Sequence, residues 1–153
     1  MHLLNLNIRP MILADIANIS KIEEKVTPHP WRESQFIDSY EKHNCLVLVM
    51  DDYIVGYAIY NVVVGEAEVL NIAIHHGHQN KGYGRYFIQH LIKIVSERAQ
   101  RFFLEVRVSN ASAIYLYEDV GFVAVCERKN YYQNALRSED ALLMAMELQP
   151  ISN

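Results

Sequence analysis

Val69-Leu70-Asn71-Ile72-Ala73-Ile74, followed by His75-His76-Gly77-His78 and then Gln79-Asn80-Lys81-Gly82-Tyr83-Gly84, is the stretch on which the fold turns. Its first six residues are almost wholly apolar, the pattern of a strand covered on both faces. From residue 82 to 99 the period changes. Phe87, Ile88, Leu91, Ile92 and Val95 form one stripe, and Arg85, Gln89, Lys93, Ser96 and Glu97 lie opposite, as on an amphipathic helix. Residues 102–108 are again an apolar strand. Strand, helix and strand at this length form a crossover, which requires two parallel strands.

Upstream, residues 2–9 alternate as a strand that Pro10 stops. Ile12, Ile16, Ile19 and Ile22 carry a helical spacing through residues 11–25. Thr27-Pro28-His29-Pro30 ends that helix, because proline disfavours a helical residue before it. Residues 31–42 form a second helix. Strands at 45–50, 53–63 and 66–75 follow, joined by turns at Asp51-Asp52 and Gly65, which makes an antiparallel meander. Downstream, Ser109 is the expected N-cap of a helix over 110–120, and Gly121 its stop. Strands at 122–127 and 141–148 close the chain. The expected class is α/β: a mixed, mostly antiparallel sheet with one central parallel pair and helices on both faces.

The chain has 153 residues, which predicts one domain spanning 1–153 with a core that needs no staples. A net charge of −4 supplies no basic field, so direct nucleic-acid binding is not expected. Cys45 and Cys126 sit in apolar runs and read as two buried free thiols of a reducing compartment. No basic start with an apolar run opens the sequence, and no apolar stretch approaches the roughly 18–20 residues of a membrane span. A cytoplasmic protein that engages no membrane is expected. His75-His76-x-His78 offers three imidazoles without a fourth ligand placed by sequence, so no metal is expected.

Three features point to chemistry. Glycines at 82 and 84 before a helix let the backbone approach a ligand, and the helix N-terminus offers unpaired N–H groups to a phosphate or pyrophosphate. An ordinary strand-to-helix turn would look the same. The stretch is neither a Walker loop nor a full dinucleotide fingerprint. Next, Glu105 stands in an apolar central strand, where burial is costly unless the group is paired or neutral. Period-two alternation places Phe103, Glu105 and Arg107 on one face. Glu105 is either ion-paired with Arg107 or a general base whose pKa its apolar neighbours raise. Last, Asn110 and Tyr117 are seven residues apart and share a helix face just after the strand of Glu105. On its own, Tyr117 reads as a core tyrosine.

With these residues in place, the chain resembles the GCN5-related N-acetyltransferases (GNAT), through the order of elements and Gln79-x-x-Gly82-x-Gly84. The closer likeness is to the bacterial ribosomal-protein-alanine N-acetyltransferases of the RimI type. Pro30-Trp31, Asn71 to Ile74, the block from Leu104 to Ile114 and Leu116-Tyr117-Glu118 carry it. It continues through Gly121-Phe122, Arg128-x-x-Tyr131-Tyr132 and Glu139-Asp140-Ala141 to Met144, and covers nearly the whole chain.

The resemblance implies acetyl-CoA as donor. Its pyrophosphate would take the loop from Gln79 through Asn80, Lys81, Gly82, Tyr83 and Gly84 to Arg85. Its pantetheine arm would run beside Ile72, Ala73 and Ile74 where the parallel pair splays, and Asn110 and Tyr117 would also contact it. Glu105 falls on the family's general base and Tyr117 on its general acid. Trp31, Tyr131, Tyr132 and Glu139 fall on its acceptor-binding positions. The implied acceptor is a protein N-terminus, the alanine of the eighteenth small-subunit ribosomal protein. The implied state is a monomer or weak homodimer. Acceptors of a different kind, a small-molecule amine such as a polyamine, or a non-catalytic acyl-CoA-binding module, are the alternatives. At pH 7 an α-amine needs roughly 1–1.4 kcal/mol to lose its proton and a lysine roughly 4.6, so one carboxylate suits the former.

Overall fold

A turn of two left-handed residues, Asp51 (φ 47) and Asp52 (φ 71), folds β2 (Asn44–Met50) back onto β3 (Tyr53–Val63). A second one, Val64 (φ 48) with Gly65 (φ 80), delivers β4 (Glu66–Ile74). Paired left-handed residues match the right-handed twist of the flanking strands, which is why two-residue connections succeed here. Val64 meets this with a β-branched side chain that is 96% exposed. The computed structural model describes residues 5–133 and 138–148, with side chains described throughout except at 130–133, 138 and 139.

With β1 (Leu6–Pro10), β5 (Arg101–Arg107), β6 (Val123–Gln133) and β7 (Ser138–Glu147), these strands form a seven-stranded sheet in the order β1-β2-β3-β4-β5-β7-β6. It is antiparallel except for β4 with β5. The meander and the crossover are as expected. The chain divides into two compact units, Met1–Asn61 with Leu70–Gly84, and Val62–Val69 with Arg85–Asn153.

In the first unit a 3-10 turn at Leu13–Asp15 leads into α1 (Ile16–Val26), and α2 (Glu33–Lys42) follows. Ile16, Ile19 and Ile22 of α1 and Phe36 of α2 close on Val47 of β2 and on Tyr57 and Ile59 of β3. Each such side chain contributes about 1.5–3 kcal/mol on full burial. Val55–Tyr60 are six consecutive buried residues, so β3 is the strand covered on both faces. That corrects the expectation for β4, whose residues 70–74 are only half-buried. Asp15, 6% exposed, is held by a two-pronged hydrogen bond from Arg9 (2.8 and 3.0 Å) and by the Ile12 N–H (2.9 Å). Burial opposes its charge, but Arg9 and the Ile12 amide outweigh burial and hold the carboxyl below the ordinary range.

In the second unit β4 pairs with β5 in parallel through Glu66–Glu68 and Arg101–Phe103. α3 (Tyr83–Val95) buries Phe87, Ile88, Leu91 and Val95, the expected stripe. α4 (Ala111–Val120) stops at Gly121, whose φ of 119 suits glycine. β6 runs past the expected end at residue 127 because its outer positions pair through the backbone and need no apolar pattern. Cys126 is therefore exposed rather than buried, while Cys45 is half-buried and its thiol is pushed up to about 11 by burial. Both are free thiols.

Candidate active site

In the first unit the end of β4 opens into the glycine loop. His75 Nδ1 accepts from the Gly77 N–H at 3.0 Å, and its ring stacks on His76 with centroids 4.4 Å apart. Burial, then the neighbouring His76 and His78, hold His75 below the ordinary histidine range. Among the described residues no group of three His, Cys, Asp or Glu side chains could hold a metal ion. The Gln79 amide donates to the Ile74 carbonyl at 3.1 Å and folds the loop back on the strand end. Asn80 (φ 62) and Gly82 (φ 89) take left-handed conformations, and α3 begins at Tyr83.

This loop fits a pyrophosphate on three counts. The first turn of α3 contains no acidic residue. A helix start carries N–H groups without intrahelical partners. A Cβ built at Gly82 would meet nothing within 4 Å, so the backbone there is open to approach. Tyr83 is anchored through its hydroxyl to Met50 Sδ at 3.3 Å. Ile72, Ala73 and Ile74 are half-buried.

In the second unit β5 alternates as read: Phe102, Leu104 and Val106 are buried, and Phe103, Glu105 and Arg107 face the other way. The ion pair expected with Arg107 is instead made with Arg128 of β6, Nη1 to Oε1 at 3.0 Å. The Glu105 side chain is 16% exposed, and its Oε2 is buried with no hydrogen-bond partner. A carboxylate oxygen in that condition retains its lone pairs for a proton.

Asn110, not Ser109, caps α4: its Oδ1 accepts from the Ala113 N–H at 3.2 Å. Both residues are good caps, and the chain turn that closes Asn110 N–H onto the Arg107 carbonyl at 2.9 Å decides between them. Asn110 thus stands just before the helix rather than on its face. Tyr117 is 8% exposed, with its ring edge-on to Phe122 at 5.9 Å. Arg85, near the start of α3, is ion-paired to Asp119 of α4 at 2.5 Å. Glu105, Asn110, Tyr117 and Arg85 therefore belong to one compact unit, and Ile72 to Ile74, Gln79 to Gly84 and Trp31 to the other.

Trp31 is half-buried in the segment between α1 and α2, 5.2 Å from the ring of Phe36. Tyr131 and Tyr132 lie on β6 and Glu139 on β7, with Tyr132 opposite Glu139, while their side chains lie outside the described residues. Sequence reasoning passed over Glu23, which is 3% exposed and hydrogen-bonded to Tyr57, Asn71 and the Trp31 N–H. The signal was there: Glu23 follows Ile19 by four residues and Ile16 by seven, an acid on the apolar stripe.

Residues 13–122 match the acetyltransferase (GNAT) family. The chain belongs to that family. A [ribosomal protein bS18]-alanine N-acetyltransferase of Salmonella typhimurium is 39% identical over 136 residues, 88% of this chain and 92% of its own length. The crystal structure of the ribosomal-protein-S18-alanine N-acetyltransferase from Escherichia coli superposes with a TM-score of 0.88 at 33% identity, covering 97% of this chain and 96% of that one. A protein from Salmonella typhimurium solved with acetyl-CoA shares the GNAT fold at 22% identity, with a TM-score of 0.78 over 97% of this chain and 96% of that one. As a GNAT protein the chain is an acetyltransferase with acetyl-CoA as donor. Among its described residues no helix is long and apolar enough to cross a membrane.

Proposed function

We propose that this GNAT protein acetylates the N-terminal alanine of ribosomal protein bS18, with Glu105 as general base and Tyr117 as general acid. The observation that carries the chemical half is Glu105: a mostly buried carboxylate with one oxygen fixed by Arg128 and the other without a hydrogen-bond partner. The near full-length likeness to the Salmonella typhimurium enzyme supports the acceptor.

Acetyl-CoA supplies the thioester. The amides of residues 80–85 hold its pyrophosphate, Ile72 to Ile74 receive the pantetheine arm, and Asn110 adds a contact. Glu105, directly or through a water, takes the proton of the acceptor's α-ammonium. The neutral amine attacks the thioester carbonyl, the C–S bond breaks as Tyr117 protonates the departing thiolate, and the nitrogen's second proton returns through solvent to the Tyr117 oxygen. Trp31, Tyr131, Tyr132 and Glu139 receive the acceptor chain. Only roughly 1–1.4 kcal/mol is needed to free an α-amine at pH 7, within reach of one carboxylate base.

The test is mass spectrometry of a peptide carrying the bS18 N-terminus with its alanine first, incubated with enzyme and acetyl-CoA. One acetyl group on the α-amine is expected, with internal lysines untouched. Ribosomal proteins from cells with and without the gene should differ in the same modification. An unchanged pattern in both experiments removes the ribosomal acceptor.

A further inference from the structure

The segment that carries Trp31 is fastened through a buried carboxylate. Glu23 Oε1 accepts from the Tyr57 hydroxyl at 2.5 Å and from the Asn71 amide at 3.2 Å. Oε2 accepts from the Trp31 N–H at 3.0 Å and again from the Asn71 amide at 3.2 Å. The donors come from β3, from β4 and from the chain just beyond α1, and all three are neutral. Burying a carboxylate costs several kcal/mol unless its lone pairs are filled, and here both oxygens are engaged.

The donor set requires an acceptor-only group. A peptide N–H and an amide NH₂ can only donate, and the Tyr57 hydroxyl stays protonated because burial, then the charge of Glu23, pushes it well above the ordinary tyrosine range. Glutamine would turn an NH₂ toward one of these donors. Nothing in the packing of α1 calls for an acid on its apolar stripe, so the carboxylate serves the residues it holds. Asn71 immediately precedes Ile72 on β4. Trp31 follows Thr27-Pro28-His29-Pro30, whose two prolines already narrow the segment's conformations.

We propose that Glu23 is a positioning residue for the acceptor: it clamps the backbone at Trp31 to Asn71 of β4, so that the 27–32 segment meets the incoming N-terminus in one conformation. This rests on the reading that Trp31 contacts the acceptor. Without the clamp the segment samples other conformations, and apparent acceptor affinity falls by the fraction that is competent. Glu105 and Tyr117 are untouched, so the bound complex reacts as before.

Trp31 is the chain's one tryptophan, so its emission reports the clamp directly and without turnover. Glu23→Gln should red-shift that emission and open it to acrylamide quenching. KM for the alanine peptide should rise about tenfold, with kcat, its pH profile and KM for acetyl-CoA within about twofold of wild type. A merely structural role would lower the amount of folded enzyme and scale kcat, leaving the peptide KM in place. That result, or wild-type emission and KM, overturns the proposal. If Glu23→Gln does not fold, Tyr57→Phe keeps the ring and carries the same readouts in the same direction. A wild-type enzyme that ignores the peptide defeats the acceptor reading instead, and the clamp then stands or falls on the emission.

Discussion

Arg128 and Glu105 are ion-paired at 3.0 Å across an intervening strand. β7 lies between their strands: Ala141 faces Arg107 on one side and Arg128 on the other, and Leu143 faces Glu105 and Cys126. The pair therefore runs diagonally over two inter-strand spacings, about 10 Å, which only a side chain as long as arginine bridges. Ala141, in register with Arg128 on the strand between, is fully buried. Arg128 is half-exposed, so the pair adds little stability. What it does is hold Oε1 in one place, while Oε2 stays buried without a hydrogen-bond partner.

Glu105→Gln keeps that shape and removes the base. kcat should fall about 10²-fold or more with acetyl-CoA affinity little changed. The deficit should shrink toward high pH, where the acceptor amine loses its proton unaided. A deficit constant up to about pH 9.5 would make Glu105 a group that orients the amine rather than one that deprotonates it.

Tyr117→Phe leaves the ring against Phe122, so stability should change by about 1 kcal/mol or less. The rate should drop roughly 10–10²-fold, less than for Glu105→Gln, because thiols with pKa values near 8.5 depart as thiolates with modest help. Steady-state rates on an alanine peptide check this. Full activity would leave Tyr117 as a packing residue and pass the proton to Tyr115 or to solvent.

Gly82→Val should weaken acetyl-CoA binding without clashing inside the free protein. The site is open, but a φ of 89 is a conformation that a β-branched residue adopts only at a cost of about 1–2 kcal/mol. Isothermal titration with coenzyme A reads the loss. Wild-type affinity in a folded variant would take the pyrophosphate off this loop.

Asp15 gives the protein an acid-sensitive tie. Its carboxyl lies below its ordinary value, so its stabilisation is complete above the unfolded-chain pKa near 3.9 and disappears as pH falls through the folded value. At pH 7, Asp15→Asn should cost about 1–3 kcal/mol, discounted because Arg9 is 36% exposed. Denaturant titrations should show wild type and variant converging below about pH 4. A gap that stays constant down to pH 2 would contradict this account.

The elements were legible wherever a local signal set them. Gly121 ended α4 as expected because a left-handed stop needs glycine, and the turn at Asp51-Asp52 showed itself through residues that tolerate positive φ. β6 extends beyond its expected end because its polar half, from Glu127 on, is held by backbone pairing and by ion pairs such as Lys129–Asp140, which leave no apolar trace. Arg107 was the expected partner of Glu105 because it is two residues away. Arg128 is 23 residues away, and only the insertion of β7 between β5 and β6 brings it near. Glu23 went unread for a related reason. Its partners Tyr57 and Asn71 are distant in sequence, and an acid on an apolar stripe has no meaning until they are known.

The unequal thiols have a practical consequence. Cys45 is half-buried, with a thiol pKa pushed up to about 11 by burial, so little of the reactive thiolate forms there at neutral pH. Cys126 is exposed on β6, two residues from Arg128. The native protein should take up a single equivalent of maleimide dye at pH 7, and the second only on denaturation. The wild-type chain thus carries its own attachment point for a fluorophore, two strand positions from the Arg128–Ala141 row, with no engineered cysteine and no residue to remove.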